Sequence, residues 1–270
     1  MPSVRGGMKF AAAQMKPIAA GEVDIVITQP RTRGGGVHKT FLDPGFIVVR
    51  QDHGNKLTPV ATAKCNNRAS VTTSCFLQPA GGGGGGGAAG GGGVAGGGSG
   101  TYLIVPFSLR AASPLSSDGR VMVTAVHSSS PIVVDEVELT GEQFGLAIAA
   151  EARRAGKIEI SAAHLGVTVY RLSFASGYIF IATNTGILGA NIELTVQSQN
   201  MMCSRDSMAL KDTVYPGRGQ ILGIVSQASE SVGYSISYRF SIGGAIPFMP
   251  AVHTPPLPDN SIHSPFPVHR

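Results

Sequence analysis

Three carboxylates sit almost side by side in this chain, Asp135, Glu136 and Glu138, with Glu142 just beyond them. A hard cation such as calcium needs clustered oxygens, so these three are the calcium candidates. They fall in Asp135-Glu136-Val137-Glu138, a segment with strand character, and successive strand side chains point to opposite faces. No metal site is therefore assigned from them, and Asp43, Asp52 and Asp118 stand alone. His253, His263 and His269 are too widely spaced for zinc, and His38, His53 and His164 have no Cys or His at ligand spacing. The glycine run ends in neither Gly-Lys-Ser nor Gly-Lys-Thr and opens no helix, so it is no phosphate-binding loop. The expectation is a chain without a cofactor.

The remaining candidates concern partners. Seven prolines crowd the last 27 residues, and Pro255, Pro256 and Pro258 could present a polyproline II ridge to an SH3-like or WW-like groove. Nucleic acid is not expected. The net charge is +5, but the 21 Lys and Arg are scattered, and Arg5-Gly6-Gly7 and Arg33-Gly34-Gly35 are isolated units, not a stripe that follows phosphates. The odd set Cys65, Cys75 and Cys203 gives no disulfide framework and points to a reducing compartment, here the cytoplasm. No apolar run approaches the roughly 18 residues of a membrane-spanning helix.

Strand patterns must position these residues. Alternating or β-branched runs occur at 23–28, 46–50, 101–107, 121–127, 131–139, 167–174, 178–183, 191–196, 220–226 and 232–242, mostly separated by Gly, Asn, Asp or Ser. This spacing predicts sandwiches, not strand–helix–strand units. One segment, 142–157, is rich in Ala, Glu, Arg and Leu and reads as a short helix, with Thr140 as its cap and Gly156 near its end. Residues 81–100 hold fifteen glycines in twenty positions and are expected to be a flexible insert. The predicted fold is all-β: two antiparallel β-sandwich modules joined by a short helix. The divisions are a flexible N-terminus at 1–19, a first sandwich at 20–139, a helical linker at 140–158, a second module at 159–243 and a Pro-rich disordered tail at 244–270.

Three motifs in order, VDIVITQ at 23–29, GTYLIVPFSL at 100–109 and GRVMVTAVHSS at 119–129, resemble the β-sandwich of calpain-type cysteine peptidases called domain III. A second set at 166–243 resembles a sandwich-like module at the C-terminal end of some calpain-like proteins, with Ser198 and Asn200 before Pro216-Gly217. The family's chemistry needs a Cys, a His and an Asn, and Cys75, His127 and Asn184 occur in that order. The sequence motifs around the family's nucleophile and base are missing, so the resemblance implies no catalytic residue here. It implies a non-catalytic regulatory or docking module, binding protein partners or a membrane surface through loops and strand edges. A calpain protease core is a candidate partner, either in a longer cysteine endopeptidase chain or as a separate protein. The alternative is a structural assembly or cytoskeleton-associated sandwich with no link to proteolysis.

Overall fold

The computed structural model describes residues 10–29, 44–52, 56–64, 70–80, 100–109, 122–229, 232–245, 250–257 and 261–268. The poly-Gly insert, Cys65 and Pro258 lie outside the described residues. The first half of the chain contains β1 (Phe10–Pro17), β2 (Gly21–Thr28), β3 (Pro44–Gln51), β4 (Leu57–Ala63), β5 (Ser70–Leu77), β6 (Thr101–Ser108), β7 (Val123–Ser128) and β8 (Ile132–Leu139). Helix α1 (Gly141–Ala155) follows. Then come β9 (Lys157–Ala162), β10 (Val167–Phe174), β11 (Gly177–Asn184), β12 (Ala190–Gln199), β13 (Met201–Cys203) and β14 (Ala209–Val214). The last strands are β15 (Arg218–Gln227), β16 (Ser235–Gly244), β17 (His253–Thr254) and β18 (Phe266–Pro267).

These strands form four antiparallel sheets, ordered β4-β3-β6-β1-β8, β5-β2-β7, β13-β15-β11-β10-β9 with β18 beside β15, and β16-β12-β14-β17. The first two sheets close over Met15, Ile25, Phe46, Val48 and Ile104. The other two close over Val169, Phe180, Ile192, Leu194 and Leu222. The all-β, two-sandwich architecture is thus the one the strand patterns predicted.

A third core joins the sandwiches. Ile47, Val49, Leu103 and Val105 from the first, and Leu172, Ile179, Ile181 and Ile221 from the second, converge on α1. Phe107 and Phe174 meet edge to face at 5.4 Å across the junction. The helix therefore acts as a shared middle layer, correcting its reading as a linker. Its whole central stretch from Phe144 to Ala152 is buried. Its ends are set locally. Thr140 and Gln143 form a reciprocal capping box, with Gln143 N–H donating to Thr140 Oγ1 (3.2 Å) and Thr140 N–H to Gln143 Oε1 (3.0 Å). Gly156 N–H closes the other end on Ala152 O (2.9 Å).

Two further expectations are corrected. The N-terminus is not uniformly flexible, because residues 10–17 form β1, between β6 and β8, with Met15 fully buried. The C-terminal segment is not a disordered tail across its described residues. It supplies β17 and β18 and sends Phe266 and Val268 into the shared core. Prolines prevent a long ladder there, but widely spaced apolar side chains still anchor the segment by burial. Phe266 lies between Gly145 of α1 and Gly219 of β15, where any Cβ would overlap its ring.

Candidate functional site

Strand β2 separates the first two members of the possible Cys–His–Asn set. It pairs Val23 with Cys75 of β5 and Asp24 with His127 of β7. Directly opposed residues share a face and neighbours alternate. Cys75 consequently lies on the core side with the buried Val23, whereas His127 lies on the solvent side with the exposed Asp24. Asn184 belongs to the other sandwich, where its Nδ2 donates to Leu188 O (2.8 Å) and Val214 O (2.9 Å). Burial, reinforced by the charge of Asp24, pushes the Cys75 thiol up to about 11. That is the opposite of the lowered value a nucleophilic thiolate needs. These three residues do not assemble.

The acidic group is divided in the same manner. Along β8, Asp135 is level with Gln14, whereas Glu136 and Glu138 are level with Ala13 and Ala11 on the opposite face. Asp135 instead pairs with Lys16 Nζ at 3.3 Å. Among the described residues no three His, Cys, Asp or Glu side chains gather where they could hold a metal ion.

A polar cluster that no sequence motif announces lies beneath the C-terminal segment. Arg205 Nη1 donates to Asp212 Oδ2 at 2.5 Å, both side chains being buried, and Arg205 Nη2 donates to Pro255 O at 2.5 Å. Asp212 Oδ1 accepts from His253 Nδ1 at 2.9 Å. Close by, His263 places Nδ1 against Ile221 O (2.8 Å), so that nitrogen carries the proton and Nε2 accepts from Ser204 Oγ (3.0 Å). Burial lowers the His263 pKa to about 4, against the lift from the Ile221 carbonyl and aided by the Arg205 charge. The cluster fastens His253, Pro255 and His263 to the second sandwich. Of the docking candidates, Pro255 is half-buried and held through its carbonyl, and Pro256 is exposed.

Ser198 and Asn200 border a turn that Asn200 stabilises. Asn200 adopts φ 55°, and its Nδ2 donates to Ser229 O (2.8 Å) and Val232 O (2.5 Å). Gly217, in the Pro216-Gly217 turn, has φ 69°, the left-handed conformation glycine tolerates best.

Among the described residues, β16 and β9 each end a sheet. β16 pairs with β12 without a register break from Gln199↔Ser235 to Ala190↔Gly244 and ends its sheet. Its inward Tyr238 and Phe240 pack edge to face on Phe180 at 5.0 and 5.6 Å. β9 ends the neighbouring sheet, and its Ile158 is 57% exposed.

Residues 152–243 match the family model described as the calpain-D-like C-terminal domain. Residues 152–243 are thus similar to a calpain-related C-terminal domain. The matched residues are those of the second motif set, extended back into the last turn of α1, and they include all of β16 but its last residue. The domain III-like motifs of the first sandwich lie outside the calpain-D-like match. No curated protein and no solved structure matches the chain. Among the described residues, no helix is long and apolar enough to cross a membrane.

Proposed function

We propose that the chain is a non-catalytic regulatory or docking module of a calpain-like protein, acting in the cytoplasm on protein partners that include a calpain protease core. The observation that carries this reading is the calpain-D-like match over 152–243, a C-terminal domain and not a peptidase core. Within it, β16 offers a mechanism. Every second residue of an edge strand turns its N–H and C=O away from the sheet, and an extended partner segment can pair with them. Ten residues in unbroken register give that segment a long, regular template. Calcium has no part in this reading.

Sedimentation velocity tests it, with the full chain run alone and mixed with a calpain-type protease core. The expected result is a one-to-one complex. Absence of any complex at about 10 μM of each protein would refute the reading for that partner. A large symmetric assembly of the chain alone would favour a structural role instead.

A further inference from the structure

A cleft of about 400 Å³ opens between the two sandwiches, beside α1. Lys56 and Leu57 from the start of β4 form one wall, and Leu146 and Arg153 of α1 the next. The third wall is the helix-facing side of β10 and β11, with Tyr170 and Thr183. Its volume falls in the lower part of the range for small-molecule sites, and junctions between modules are where such sites often occur.

Of its polar lining, Thr168 meets Ser161 and Thr185 donates to Gly166 O, while other groups remain open to a ligand. Arg154 and Arg171, close by in the chain and the sheet, are held by Glu151 and Glu159. Lys56 and Arg153 have no carboxylate partner among the described residues. Thr183 and Tyr170 line the cleft, and neither hydroxyl has a hydrogen-bond partner among the described residues. Two cations from different elements, together with free hydroxyl donors, suit a doubly charged oxyanion with several accepting oxygens. Leu57, Leu146 and Val268 give the remainder of a ligand an apolar surface.

We propose that this cleft binds a small organic phosphate monoester, its phosphate held by Lys56, Arg153 and Thr183 and its organic group lying on the leucines. The inference is independent of the docking role. Isothermal titration calorimetry on the full chain tests it with phenyl phosphate, inorganic phosphate and phenol. Phenyl phosphate should bind saturably at one site, inorganic phosphate about tenfold more weakly, and phenol not at all. Lys56→Gln and Arg153→Gln should each weaken phenyl phosphate by about tenfold. Both side chains are exposed, so the fold should survive, with melting curves as the check. No binding at millimolar phenyl phosphate, or an unchanged affinity in the double variant, would overturn the site. Equal affinity for inorganic phosphate would overturn the ester assignment.

Discussion

Phe266→Ala tests whether the C-terminal segment belongs to the core. Phe266 is 0% exposed and lies in the layer that the helix shares with both sandwiches. A buried Phe removes about 200 Å² from water, and at ~25 cal/mol per Å² that is about 5 kcal/mol. A compact unfolded chain reduces this by about a quarter, to roughly 4 kcal/mol. The slot left behind is flanked by the backbones of Gly145 and Gly219, which have no side chains to swing into it. The loss should therefore fall in the upper part of the usual range of about 3–5 kcal/mol for Phe→Ala. Urea unfolding followed by circular dichroism measures it, with the exposed Pro256→Ala as a control expected to change stability by less than about 0.5 kcal/mol. A Phe266→Ala loss below about 1 kcal/mol would mean that the segment does not pack, and the reasoning would fail.

His263 binds its proton less readily folded than unfolded, so the unfolded chain takes up more protons between the ordinary value and about 4. Stability should fall by about 2 kcal/mol as pH drops from about 7 to about 5, and His263→Gln should flatten that slope in urea midpoints. Cys75, with its thiol raised to about 11, should resist iodoacetamide at about pH 8 in the folded chain and react after denaturation, as peptide mass spectrometry would record. Fast labelling of folded Cys75 would contradict its placement. Gln220 is fully buried with neither amide atom bonded, so Gln220→Met should raise stability by about 1–2 kcal/mol on a thermal melt.

Much of the fold was legible because burial sets the pattern of the strands. β2 and β12 alternate between buried and open positions, since each lies in an outer sheet with one face toward solvent. β3 and β15 are almost continuously buried, because the helix covers the face that their sandwiches leave open. The runs PGFIVV and ILGIV thus mark the inner layers as well as the presence of strands. The helix was equally plain from Thr140 and Gly156, whereas the part of Gln143 in its cap emerged only in the structure. The alanine-rich β1 and the proline-rich C-terminal segment were not, because neither composition favours strands and both are ordered by contacts remote in sequence. The same applies to the Arg205–Asp212–His253 cluster, and to the cleft walls, which only the tertiary fold brings together.

The helix that serves both sandwiches changes how force can pass through the molecule. Two modules on a flexible tether swing independently, and a pull on one leaves the other at rest. Here they grip a common axle, with Phe266 wedged against it from the far end of the chain. A load arriving at the β16 edge would reach the first sandwich by straining that axle and not by turning a hinge. Any message exchanged between the two halves would travel as a change in stiffness.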